Sequence, residues 1–282
     1  MKGLSLYDPV QAFFDWCKER ESIRITRNDG HPYPWTDDPI FQKGRFLNTF
    51  REDDKGSIAI RRFCKPYETS FETLVHALFF SRWCNKADTL DKIVGIDLHN
   101  TRLLRSTLLE KIEQPWCSDV YPVEAVMWKN KSYDRFEACT QLFPELISFL
   151  TDSIGKAHQD VTKATKRINS QFKMNNDFPI FMAVIDISWF SPHVISPDSP
   201  VPTGIGAQPY LDLLQDFLGM TDHHTTALKM IDLQKSYWPE ARRKFTPVDI
   251  EYLSCECRKY YSYVNGTKSF KGRNLFVPPA NE

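Results

Sequence analysis

Apolar residues recur at helical spacing through most of this chain, and segments that alternate apolar with polar residues are few. That pattern predicts a mainly α fold, a helical bundle-like arrangement, with a minor strand possible near 180–187. No internal repeat of 20 to 50 residues is visible, so a solenoid is excluded. With 282 residues the chain can bury a substantial core. It reads as a single helical unit over 1–282. Helices are expected at Val10–Arg20, Phe41–Asp54, Ser70–Cys84, Leu103–Ile112, Tyr133–Leu150, Ser153–Met174, Pro209–Leu218, Thr221–Lys235 and Pro247–Tyr263. Phe178–Ile187 is a β-branched apolar run that fits a strand or a buried helix equally, because periodicity cannot arbitrate. The stretch from Ser191 to Pro202 holds four prolines and is expected to be an extended loop, the best candidate for an internal boundary.

Charge narrows the partners. The 36 Lys and Arg balance the 36 Asp and Glu, which excludes a protein held to polyanions by bulk electrostatics alone. Local asymmetry remains: nine basic residues face five acidic ones from Lys235 to Glu282, and Lys156, Lys163, Lys166, Arg167 and Lys173 form a second basic stretch. Such stretches are either solvated helix faces or a footprint for nucleic acid. Seven cysteines without a CxxC pair argue for reduced thiols and against a structural zinc site. The N-terminus lacks the apolar core of a signal peptide, and no apolar run approaches the roughly 18 residues of a membrane span. The expectation is a soluble intracellular protein that makes no membrane contact.

Several chemistries have no foothold. There is no GxxxxGK[ST] loop, GxGxxG turn, HExxH or GxSxG, so the usual phosphate cradle, dinucleotide site, zinc protease and serine hydrolase are not expected. Adjacent His223 and His224 would point about 100° apart on a helix and rarely chelate one ion. No metal and no cofactor is expected.

Three blocks carry candidate chemistry. The first runs Pro34-Trp35-Thr36-Asp37-Asp38-Pro39 and then Arg45 to Lys55. On a helix, Arg45, Asn48, Arg51, Glu52 and Lys55 would fall within an arc of about 120°, with Phe46, Leu47 and Phe50 opposite. Such a face is either a surface salt-bridge ladder or a phosphate grip, since guanidinium forks hold phosphate oxygens bidentately. Asp54 would land on the apolar side. There a carboxylate must be paired, or carry a raised pKa, or lie beyond the end of the helix. The second block is Pro202-Thr203-Gly204-Ile205-Gly206-Ala207. A glycine turn of this kind, with Gly204 and Gly206, lets backbone N–H groups approach an anion, as in helix-hairpin-helix DNA contacts, and it equally suits a plain loop-to-helix turn. In the third, Phe245 to Tyr260, Thr246, Pro247 and Asp249 open a helix, and Tyr252, Cys255, Glu256 and Lys259 share one face. That face is an active-site wall or simply an amphipathic surface.

The order and wording of these blocks resemble a known family. PWTDDPI followed by RFLNTFREDDKGS, then GIGA, then TPVDIEYLSCECRKY is similar to the signatures of the helical α-glutamyl and α-putrescinyl thymine pyrophosphorylases. That family is also found attached to hydroxymethyluridine DNA kinases and is read as the amino acid:DNA transferases of phage thymine hypermodification. The likeness covers roughly residues 23 to 65 and 178 to 275. This chain departs from the pattern at Leu47, Thr49, Lys55, Tyr252, Cys257 and Arg258.

The resemblance implies a catalytic unit acting on double-stranded DNA in the cytoplasm of an infected bacterial host. On phosphorylated 5-hydroxymethyluracil, an amine nitrogen would displace phosphate or pyrophosphate from the 5-methylene carbon. The nitrogen would come from an amino acid, glycine among the candidates. On this reading Arg45, Asn48, Arg51 and Lys55 hold phosphate, with Trp35 and Lys259 at the substrate. Asp37, Asp54 and Glu256 are candidates for the base that deprotonates the amine. Cys255 is either a buried structural thiol or a nucleophile that adds to C6 of the ring. Gly204 and Gly206 contact DNA. The rivals are a helix-hairpin-helix DNA glycosylase and a non-catalytic module that recognises hydroxymethyluracil DNA beside a kinase.

Overall fold

A computed structural model describes residues 8–119 and 122–278. The architecture is mainly α. In chain order the helices are α1 (Pro9–Asn28), α2 (Pro39–Lys43), α3 (Lys55–Cys64), α4 (Phe71–Cys84), α5 (Ala87–Lys92) and α6 (Thr101–Ser106). A two-stranded antiparallel hairpin follows, β1 (Val126–Trp128) paired with β2 (Lys131–Tyr133). Then come α7 (Arg135–Glu137), α8 (Phe143–Gly155), α9 (Val161–Phe172) and α10 (Phe178–Phe190). After a loop from Ser191 the last three are α11 (Gln208–Leu218), α12 (His223–Tyr237) and α13 (Pro247–Val264).

The chain divides into two compact units. One holds the residues up to Asp54 together with those from Val201 onward; the other is Lys55–Pro200. In the first unit α1 packs against α11, α12 and α13 around an aromatic core of Phe13, Phe14, Phe50, Tyr210 and Phe245, all fully buried. The helix starts are written in the sequence. Asp8 accepts hydrogen bonds from the Val10 and Gln11 N–H groups ahead of Pro9, and Thr246 with Asp249 forms a capping box ahead of Pro247. In the second unit α4 packs against α8 and α10, and a buried Arg82–Asp186 ion pair of 2.5 Å joins α4 to α10.

Three expectations need correction. Of the two readings left open for Phe178–Ile187 the buried helix holds and the strand does not: it lies in α10, apolar apart from Asp186 and buried against α4 and α9, which satisfies its backbone internally. The helix expected over Ser153–Met174 is broken at 156–160, where His158 and Gln159 adopt positive φ and Asp160 caps α9. The third matters most for function. Phe41–Asp54 is not a helix, because Gly44 turns extended and pairs with Leu275. The following backbone finds partners outside any helix. Arg45 N–H donates to Asn274 O, Leu47 N–H to Glu256 and Asn48 N–H to Asp54, and only Arg51–Asp53 forms a short 3-10 turn.

Candidate functional site

The face of α13 that carries Tyr252, Glu256 and Lys259 clasps the Arg45–Thr49 segment. The Tyr252 hydroxyl donates to the Asn48 and Thr49 carbonyls, Glu256 Oε2 accepts the Leu47 N–H at 3.1 Å, and Lys259 Nζ donates to the Arg45 carbonyl. Lys259 also lies 3.4 Å from Glu256. These side chains therefore hold a loop in a defined shape.

Asn48 is the hub of that loop. Its Oδ1 accepts from Arg20 Nη2 at 2.6 Å, its Nδ2 donates to the Asp53 carbonyl at 2.9 Å, and its N–H donates to Asp54 Oδ1 at 3.0 Å. Arg20 Nε in turn donates to the Leu47 carbonyl. The 3-10 turn is fastened from the other side by Arg242 on Asp53 and by Arg243, whose guanidinium bridges Glu52 and the buried Asp249 at 2.7 Å each. Both guanidiniums also lie over the Phe50 ring.

Two carboxylates in this region are driven toward neutrality. Burial raises Asp54 to about 6, against the Asn48 N–H and the nearby Arg20 and Arg51, which favour its charged form. Asp54 lies between the 3-10 turn Arg51–Asp53 and the start of α3 at Lys55. Glu251 is raised further, to about 7, again by burial and against the Gly204 N–H and Arg51. Arg51 is itself buried, at 6% exposure, and interacts electrostatically with both carboxylates.

The glycine turn has a different logic from the expected one. The Gly204 N–H donates to Glu251 Oε1 at 2.9 Å, so a carboxylate occupies the position a phosphate oxygen would take. An extended loop, not a helix, precedes the turn, and neither Gly204 nor Gly206 has positive φ. Gly206 is needed for space: a Cβ there would stand 2.5 Å from Cys255 Sγ. Thr203 Oγ1 meets His223 Nδ1 at 2.9 Å, and His223 Nε2 meets Asp212 Oδ1 at 2.8 Å, so this histidine ties the turn to α11.

The expected phosphate set is thus dispersed. Arg45 is exposed, Asn48 is committed to the loop, Arg51 is buried, and Lys55 begins the other unit, where it pairs with Asp88 at 2.9 Å. Burial raises the Cys255 thiol, the opposite of an activated thiolate. Asp37 is exposed at the rim of a cleft of about 460 Å³. Carboxylates of Asp15, Glu19, Asp37 and Asp38 and the rings of Trp16 and Tyr260 line it, and no basic residue does. Trp35 sits nearby in sequence with its indole N–H on the His31 carbonyl and Arg27 over its ring. Sequence reasoning missed Arg20 and Glu251. A helical i, i+4, i+8 step from Glu251 through Cys255 to Lys259 was a signal for the second, whereas nothing local marked the first.

Among the described residues no His, Cys, Asp and Glu side chains converge in threes as metal ligands would, and no helix is long and apolar enough to cross a membrane. The mainly helical fold and this loop-bound cluster fall within a family whose description is the helical domain of 5-hmdU DNA kinase, which matches residues 8–268. The chain belongs to that family, which ties it to the modification of 5-hydroxymethyluracil DNA. No curated protein and no solved structure matches it.

Proposed function

We propose that the protein transfers an amine nitrogen onto the 5-methylene of phosphorylated 5-hydroxymethyluracil in DNA. The observation that carries this reading is Asp54, held by the Asn48 N–H at 3.0 Å, raised by burial to about 6 and favoured in its charged form by the nearby Arg20 and Arg51. A base poised near neutrality beside cations is what the reaction requires. An α-amino group, with a reference pKa of roughly 7.7 to 8.0, is mostly protonated at neutral pH and must lose a proton before it attacks. The C–N bond to the methylene forms as the C–O bond to phosphate breaks. The amine proton passes to Asp54, and phosphate or pyrophosphate leaves with the bonding pair, its charge met by the exposed Arg45 guanidinium. The acidic, aromatic-walled cleft suits a cationic amine such as an amino acid. The raised Cys255 thiol favours direct displacement over addition to the ring.

The experiment is single-turnover conversion of phosphorylated hydroxymethyluracil duplex in the presence of an amino acid pool, read by mass spectrometry of the nucleosides. In the parent the rate should rise as pH climbs through about 6, where Asp54 ionises. Asp54→Asn should lose that limb and fall on the order of 100-fold to 10,000-fold. A second reading rests on the family description itself, a helical domain belonging to a kinase: a module that recognises hydroxymethyluracil DNA without chemistry. Duplex binding with neither a new nucleoside nor released phosphate would select it, and an abasic product would select a glycosylase.

A further inference from the structure

We propose that the Lys55–Pro200 unit carries a second contact surface for duplex DNA, formed by the outer face of α9 and the tip of the β1–β2 hairpin. The inference rests on DNA being the substrate, and it concerns residues that the proposed chemistry leaves unused. Helix α9 buries Val161, Ala164, Thr165, Ile168 and Phe172 and exposes Lys163, Lys166, Arg167 and Ser170, while Lys173, its left-handed C-cap, is exposed just beyond. At 100° per residue these outward positions fall within an arc of about 120°. From Lys163 to Lys173 the face runs roughly 15 Å, the axial length of about four base pairs.

The hairpin extends this surface. Its turn residues Lys129 and Asn130 both adopt positive φ, and Lys129, Asn130 and Lys131 are exposed. Trp128 anchors it, with its ring 6.5 Å from that of Phe172, the last residue of α9, and 4.9 Å from that of Phe149.

Continuity separates this patch from the scattered cations of the same unit, of which Lys92, Arg102 and Lys111 are also exposed and in no ion pair among the described residues. In the same unit Lys55 pairs with Asp88, Arg62 with Asp91, Lys65 with Glu68 and Lys156 with Asp152. On the patch only Lys163 has a carboxylate, Asp160 at 3.5 Å. Lys129, Lys166, Arg167 and Lys173 are in no ion pair among the described residues. Cations left without carboxylates along one straight face are free to neutralise phosphates. The exposed side of α9 offers only Lys, Arg, Ser and Gln, with no apolar residue to enter a lipid interface. A phosphate backbone is therefore the better partner than a membrane surface.

The test uses the full chain, carrying Lys166→Gln, Arg167→Gln and Lys173→Gln together, and measures duplex affinity against salt. Each phosphate contact contributes roughly 0.9 to the slope of log K against log salt, so the triple variant should lose about 2.7. The ratio of affinities at 50 and 200 mM salt should then shrink by about 40-fold. The loss should be equal on modified and unmodified duplex, because backbone contacts carry no base information. Lys65→Gln, which removes a paired cation, should leave the slope unchanged. Circular dichroism checks that the variants are folded. A parental slope in the triple variant overturns this inference alone. Lost binding to anionic vesicles with duplex binding intact also overturns it. Absence of salt-dependent duplex binding in the parent overturns both this inference and the DNA reading beneath it.

Discussion

Replacing Gly206 with alanine isolates what the glycine turn is for. Its φ is not positive, so alanine meets no backbone strain there. The added Cβ would stand 2.5 Å from Cys255 Sγ, against an ordinary non-bonded separation of roughly 3.5 to 4.0 Å. Relief requires Cys255 to leave its rotamer or the turn to move off α13, an overpacking that costs about 1–3 kcal/mol. Alanine also restricts the unfolded chain, which offsets about 0.4–1 kcal/mol. A net loss of about 1–2 kcal/mol is expected. In a Cys255→Ala background the clash is gone, because the next atom, the Cys255 Cβ, is 3.6 Å away, an ordinary contact. There the same change should be neutral or slightly stabilising. A double-mutant cycle by urea denaturation, comparing midpoints at constant m, should return a coupling of about 1–3 kcal/mol. Equal effects of Gly206→Ala in both backgrounds would refute the packing account and return the turn to the anion-contact reading.

Glu251→Gln should raise stability at pH 8 far more than at pH 5. The folded-state pKa is raised, from 4.5 to about 7, so the protonated carboxyl's contribution is full below about 4.5 and is lost as pH climbs through about 7. That interval is worth on the order of 3 kcal/mol, and glutamine, which still accepts the Gly204 N–H, escapes it. Urea midpoints of variant and parent that stay parallel across this range would contradict the burial of Glu251. Arg243→Ala strips the buried Asp249 and Glu52 of their shared partner. The loss should be roughly 2–3 kcal/mol by thermal or urea unfolding, below that of a fully buried pair because about a third of the arginine side chain is exposed. Arg243→Lys should recover only part of it, since an ammonium lacks the fork. Cys255→Ser should leave single-turnover rates near the parent's, and a collapse of turnover in a folded, DNA-binding variant would instead place the thiol on the reaction path.

Legibility followed the distance over which each signal acts. The cap of α1, the capping box of α13 and the shared face of Tyr252, Cys255, Glu256 and Lys259 are local, and those elements could be read from the sequence. The boundary at Gly44 was hidden because an apolar run with helical spacing continues through Phe46, Leu47 and Phe50. Only the distant acceptors on Asn274 and Glu256 make the extended path favourable. For the same reason the strand-or-helix ambiguity of Phe178–Ile187 was settled by burial against α4 and α9. Arg20 was invisible as a site residue because its role exists only once residues 47 and 48 are laid beside α1.

The loop that replaced the expected helix changes how the candidate site should respond to mutation. A helical Arg45–Asn48–Arg51 ladder would lose its members independently, each worth about 0 to 1 kcal/mol at a surface. Here Asn48 couples Arg20, Asp53 and Asp54 through hydrogen bonds of 2.6, 2.9 and 3.0 Å, and Arg51 acts on both Asp54 and Glu251. Groups so connected fail together. Asn48→Ala keeps the backbone N–H that holds Asp54 but removes the side-chain bonds to Arg20 and to the Asp53 carbonyl, which loosens the loop that positions Asp54 and leaves the Arg20 guanidinium short of a partner. Its effects on stability and on turnover should therefore be non-additive with those of Asp54→Asn. A double variant no worse than Asp54→Asn alone would place Asn48 as a positioning residue acting through Asp54. Strict additivity of the two changes would put Asn48 back in direct contact with substrate.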